Sequence, residues 1–250
     1  MTRYVVGCCG FPMARGKYYS LFNAVELQET FYNPPDPGRA RRYREEAPEG
    51  FRFSMKGWQA ITHPPDSPTW RKSRFRPPEG CWRGYGHLKP TKENMEAWEC
   101  TRRAARELGA VYVVLQLPPS FTYDQEGLKN VKDFLTAIHE PGFRVGIELR
   151  GDWFRHGEEL RKVLEDFSNV THVTDPFKWF PPVTSSSSYY FRLHGIGARE
   201  VNYRYKYSVE DLIRLKEMLD GLKSSSEVYV MFNNVYMRED ALNFRKLIQP

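Results

Sequence analysis

No stretch of the chain approaches the ~18–20 consecutive apolar residues that a membrane-spanning helix needs. The N-terminus has no basic region followed by an apolar signal core. Met1-Thr2-Arg3 leads straight into the strand-like run Tyr4-Val5-Val6, so a cytoplasmic protein with no membrane partner is expected. The four cysteines, Cys8, Cys9, Cys81 and Cys100, lack C-x-x-C spacing and a neighbouring histidine pair. Zinc-finger and dithiol redox chemistry are thereby disfavoured, and reduced structural thiols are expected. No G-x-G-x-x-G follows the first strand-like run, where Gly7-Cys8-Cys9-Gly10 stands instead, so the dinucleotide fingerprint is missing. A large charge surplus is missing too. With 37 basic and 31 acidic residues the net charge is +6, mild for a dedicated nucleic-acid binder.

What the chain does contain is alternation. Short β-branched or aromatic runs fall at Tyr4–Cys8, Ala24–Gln28, Phe51–Lys56, Val111–Leu117, Arg144–Leu149, Val170–Thr174, Tyr189–His194 and Val228–Phe232. Several are almost wholly apolar, as parallel strands covered by helices are. Between them, helical spacing is legible. Leu128, Val131, Leu135 and Ile138 form one stripe behind a capping box expected from Thr122 to Gln125, and Leu160, Val163, Leu164 and Phe167 form another. Leu212, Leu215, Leu219 and Leu222 follow an expected N-cap at Ser208, and Met95, Trp98, Ala105 and Leu108 precede a stop at Gly109. Eight such alternations over residues 1–250 predict an α/β fold, a single-domain (β/α)8 TIM-like barrel. Two irregularities are expected: a long β3–α3 loop from Gly57 to Pro90, and a missing or reduced helix between strands 6 and 7, where Pro176, Pro181 and Pro182 fall.

In such a barrel the chemistry sits at the C-terminal strand ends. Side chains alternate along a strand, so Glu148 shares a face with Arg150, and Arg192 with His194. Facing inward, Glu26, Lys56, Glu148, Arg150, Asp175, Arg192 and His194 would meet in one cavity. That many buried charges must pair with each other or with a ligand. Tyr32, Gln116, Trp153, Asn233 and Asn234 lie at or just beyond the same ends and are expected, with Lys56, Arg150, Asp175 and Arg192, to bind the substrate.

These segments also resemble a known family. Phe22-Asn23-Ala24-Val25-Glu26 with Thr30-Phe31-Tyr32 is similar to the signature of the YecE-like family, known as domain of unknown function 72. So are Gly50-Phe51-Arg52-Phe53-Ser54-Met55-Lys56 with Ile61-Thr62-His63, and Gln116-Leu117-Pro118-Pro119-Ser120-Phe121. Glu148-Leu149-Arg150 with Trp153, Arg192-Leu193-His194-Gly195 and Phe232-Asn233-Asn234 complete the set. The resemblance implies a TIM-like barrel distantly similar to endonuclease IV and xylose isomerase-type barrels, and no established reaction. The family's usual first-strand motif, Gly-Thr-Ser-Gly-Trp, is replaced here by Gly7-Cys8-Cys9-Gly10-Phe11, and the segment from Arg71 to His87 also departs from the usual pattern.

Three functions fit the strand ends. The first is an enzyme acting on a phosphate-containing substrate, nucleic acid included. Lys56, Arg150 and Arg192 would hold phosphate oxygens, Glu26 or Glu148 would act as general base, and His194 as acid or base. Basic and aromatic residues interleave from Trp70 to Arg76, at Trp82-Arg83 and from Tyr203 to Tyr207, as suits backbone contact with base stacking. The second is a divalent-metal hydrolase resembling endonuclease IV, with Glu26, Glu148, Asp175 and His194 around one metal. The sequence requires no cofactor, and three cations nearby oppose a metal. The third is a non-enzymatic module binding an anionic ligand or nucleic acid at the mouth. Reaction and oligomeric state stay open.

Overall fold

The eight strands are β1 (Arg3–Cys9), β2 (Ala24–Leu27), β3 (Arg52–Lys56), β4 (Ala110–Gln116), β5 (Arg144–Glu148), β6 (Val170–Thr174), β7 (Ser188–Leu193) and β8 (Glu227–Phe232). Each pairs in parallel with the next and β8 pairs with β1, closing a barrel without edges. The structure is a computed structural model describing residues 2–138, 142–183, 186, 188–222 and 227–248. The expected (β/α)8 barrel is what forms. His139 and three residues of the β6–β7 connection, Thr184, Ser185 and Ser187, lie outside the described residues.

The helices are α1 (Arg15–Leu21), α2 (Pro37–Glu46), a one-turn α3 (Gln59–Thr62), α4 (Lys92–Leu108), α5 (Gln125–Ala137), α6 (Gly157–Leu164), α7 (Val209–Asp220) and α8 (Met237–Ile248). Ser208 caps α7 in a reciprocal box with Asp211, and Gly109 ends α4 in the left-handed conformation at φ 60°. The cap of α5 differs from expectation. The helix starts at Gln125, so the residue just before it is Asp124, and the Asp124 carboxylate accepts the Gly127 N–H at 2.6 Å. Thr122 sits too early for that role. Between β6 and β7 the described residues hold no helix, as the prolines imply.

Inside the barrel, alternation gives a separate small core of Val5, Ala24, Tyr112, Val114, Val173, Tyr190, Tyr229 and Met231. Gly146 makes room there, since a Cβ on it would run into Val173. Below this layer Arg52 donates to the Tyr229 hydroxyl and to Glu227, both at the strand starts. The interior is thus plugged by tyrosines, and ligands have one open end.

The long connection from Gly57 to Pro90 is packed rather than loose. It holds α3 and two 3-10 turns at Pro68–Lys72 and Trp82–Gly84. Trp58, Trp70, Phe75 and Tyr85 meet edge to face or tilted. Asn94, fully buried on α4, donates to Gly86 O at 3.0 Å and Lys89 O at 2.9 Å and accepts from Gly86 N at 3.1 Å. Asn94→Ala strands three backbone groups, so a loss of about 2–3 kcal/mol is expected, with faster proteolysis inside residues 57–90. Equal melting temperatures and equal cleavage rates for variant and wild type would show that the staple carries no load.

Candidate active site at the barrel mouth

Arg192 stands at the centre. It lies on β7 two residues beyond the plug residue Tyr190, hence on the same inward face, and is fully buried. Its Nη1 donates to Glu148 Oε2 at 2.5 Å and Gln116 Oε1 at 2.9 Å. Its Nη2 reaches Glu26 Oε1 at 2.9 Å and Gln28 Oε1 at 3.4 Å. Arg192 therefore holds two carboxylates in place instead of offering its fork to a ligand. Glu26 also accepts from Gln28 Nε2 and, at 2.8 Å, from the Tyr190 hydroxyl, whose burial keeps it protonated.

Glu148 closes the next link. Arg150 donates to its Oε1 through Nε at 2.9 Å and Nη2 at 2.7 Å. Burial alone would raise the Glu148 carboxyl, but the charges of Arg192 and Arg150 overcome it and hold the group well below the usual carboxylate range. So stable a carboxylate is a poor proton acceptor and a good fixed counter-charge. Arg150 Nη1 bonds nothing among the described residues and remains available.

Lys56, at the end of β3, is the cation without a partner. Its side chain is buried with Nζ 3.7 Å above the Phe31 ring, and no carboxylate pairs with it among the described residues. Burial, reinforced by the charge of Arg192, pulls its pKa down to about 7. His63 flanks the same ring at a centroid distance of 5.0 Å, and its Nδ1 meets Thr62 Oγ1 at 2.8 Å. Burial, with Lys56 and Arg150 nearby, pushes the imidazole down to about 3, so His63 is neutral. On the far side, Asp175 accepts the backbone N–H of His194 at 2.8 Å and that of Phe177 at 3.0 Å. The His194 ring lies 3.8 Å from Asp175 and 4.0 Å from Glu148. A cavity of about 270 Å³ opens here, walled by Glu148, Arg150, Asp175, Lys178, Trp179 and His194.

The structure thus brings together Glu26, Lys56, Gln116, Glu148, Arg150, Asp175, Arg192 and His194. The side chains of Trp153 and Asn234 brace neighbouring elements, and the backbones of Asn233 and Tyr32 join the surrounding structure. Trp153 is fully buried, stacks on Phe121 and donates to its carbonyl at 2.7 Å, so it braces the β5 loop. Asn234 ties Tyr205 O and Asp240 together below the rim. The Asn233 N–H pairs with Leu193 O, and the Tyr32 carbonyl receives Gln59 Nε2 at 2.9 Å. Sequence reading passed over Cys9, which lies in the inner-barrel core against Glu26 and Arg192, as well as Gln28 and Tyr190, and left His63 unassigned. The first three were within reach of alternation, since Gln28 sits two residues past Glu26, Tyr190 two before Arg192, and Cys9 on the face of Val5.

A family model described as a protein of unknown function, DUF72, matches residues 15–250. The chain belongs to the DUF72 family. No curated protein matches it. A DUF72 structure from Enterococcus faecalis V583 is 21% identical with a TM-score of 0.73, covering 99% of this chain and 97% of that one. Another from Thermotoga maritima is 22% identical at TM-score 0.71, covering 99% and 100%. Endonuclease IV from Thermus thermophilus is 14% identical at TM-score 0.50, covering 98% and 96%. At such identities the likeness is one of fold. A single divalent metal held by Glu26, Glu148, Asp175 and His194 does not fit the geometry found here. Glu26 and Glu148 commit their oxygens to Arg192, Arg150, Gln28 and Tyr190. Among the described residues no three His, Cys, Asp or Glu side chains form a metal-holding group. No helix among them is long and apolar enough to cross a membrane.

Proposed function

We propose that the mouth is the active site of an enzyme acting on a small phosphate-containing substrate, bound by Lys56 and Arg150. The observation that carries this reading is the buried, unpaired charge of Lys56, within electrostatic reach of Arg150, whose Nη1 is free among the described residues. In this part of the mouth Arg150 and Arg192 meet Glu26 and Glu148, with Glu200 4.0 Å from Arg150 at the rim, while Lys56 pairs with none of them, and an anionic oxygen supplies its missing counter-charge. Arg192, Glu26 and Glu148 position these groups, while His194, lining the cavity beyond Glu148, serves as proton donor or acceptor. A small ligand is favoured over a nucleic-acid strand because most rings of the basic–aromatic loops pack inward. Trp70 donates to His63 O, Phe75 packs on Trp58, and the Tyr207 hydroxyl accepts from Gly195 N.

Sulfate, which does not titrate near neutrality, tests the binding half by calorimetry. An anion prefers the ammonium form, so affinity is full below the Lys56 pKa of about 7 and falls about tenfold per pH unit above it. Affinity flat from about pH 6 to about pH 9, or unchanged in Lys56→Met, contradicts the assignment.

A further inference from the structure

We infer that Lys56 is a nucleophile toward the carbonyl carbon of a phosphate-bearing aldehyde or ketone, forming an imine at the end of β3. This deepens the proposed anion site and rests on it. The surroundings of Lys56 differ from those of other lysines on the molecule. Lys178 Nζ, at the same mouth, is tied to the carbonyls of Gly197 and Arg199. Lys206, Lys129 and Lys216 are paired with Glu239, Asp133 and Asp220. Lys56 has an aromatic wall and two guanidinium groups for neighbours, and such a desolvated, cation-flanked lysine carries a free amine at neutral pH. Its nitrogen is not sealed in. The buried polar atoms lacking a partner include Arg192 Nε and His194 Nε2 but not Lys56 Nζ.

The other parts of the step are at hand. Arg150 Nη1 anchors the phosphate, which orients the carbonyl over β3. His63 shares the Phe31 ring with Lys56, is fixed through Nδ1 by Thr62 and is neutral, so it walls the amine without adding a charge. The Nζ lone pair forms the C–N bond as the carbonyl π pair moves to oxygen, which takes up a proton. The nitrogen loses its extra proton to water, and the hydroxyl leaves as water after taking up a proton, which gives the iminium. One proton is consumed and one water released, with no change of oxidation state. The iminium carries the positive charge that the ammonium had, now next to the bound phosphate. Glu148 and Glu26 remain ionic anchors throughout.

The test is reductive trapping on the whole chain. Wild type is incubated with glyceraldehyde 3-phosphate and cyanoborohydride, then digested and mapped by mass. The expected result is one adduct per chain at Lys56 ahead of the exposed lysines, slowed by sulfate. Its rate at about pH 6 should be about tenfold below its plateau, following the amine fraction. Lys56→Arg should lose the adduct and still bind sulfate. Sulfate binding without an adduct at Lys56, or adducts spread over surface lysines at equal rates, overturns the imine and leaves the anion site standing. Absence of both sulfate binding and the adduct overturns both.

Discussion

Lys56→Met is expected to make the protein more stable while removing sulfate binding. The folded-state pKa of about 7 lies below the ordinary 10.5, so between these values the unfolded chain binds a proton that the native state lacks. The penalty for holding the ammonium is therefore fully present below about pH 7 and fades as pH rises toward 10.5. Methionine fills a similar volume against the Phe31 ring and carries no charge. A gain on the order of 3 kcal/mol is expected below neutrality, or about 5–10 °C in melting temperature for a domain of this size, shrinking to nothing in alkali. Lost stability in the variant at about pH 6 would mean that the lysine is paired in solution, and the account of the site would fail with it. Sites that bind by withholding a partner are strained in this way until the ligand arrives.

Arg192→Met should act in the opposite direction and more strongly. Removing the guanidinium leaves Glu26 and Glu148 buried without their main counter-charge, for which about 3–5 kcal/mol is typical. Adding Glu26→Gln and Glu148→Gln in the same chain should recover much of that loss, because the uncompensated carboxylates, not the missing contacts, carry it. Thermal unfolding of wild type, the single variant and the triple variant separates the two terms. A single variant as stable as wild type, or a triple variant no better than the single one, would contradict the ion-pair account.

The barrel was legible because its signals are periodic. Strand runs such as Val111–Leu117 and helix stripes such as Leu212 to Leu222 announce themselves by period alone, and the prolines after Asp175 mark the missing helix. The membership of the site was largely legible as well, since parity along a strand says which residues share the mouth. Pairing was not. Nothing in the order of residues says that Arg192 would be consumed by Glu26 and Glu148, which leaves Lys56 alone. That depends on how far each strand is staggered against its neighbours around the closed barrel. Trp153 looked like a ligand contact because it follows Glu148-Leu149-Arg150 so closely. The turn from Gly151 to His156 instead directs its ring onto Phe121. Tyr205 and Tyr207 likewise are taken up by Asp211 and Gly195, which no composition rule reveals.

The central claim is that an anion completes the charge of the mouth at Lys56 and Arg150, and a crystal structure with inorganic phosphate tests it most directly. The account predicts a phosphate with oxygens about 2.7–3.2 Å from Lys56 Nζ and Arg150 Nη1, Arg192 still bound to both carboxylates. A phosphate displacing Glu26 or Glu148 from Arg192, or a mouth holding only water at saturating phosphate, would contradict it.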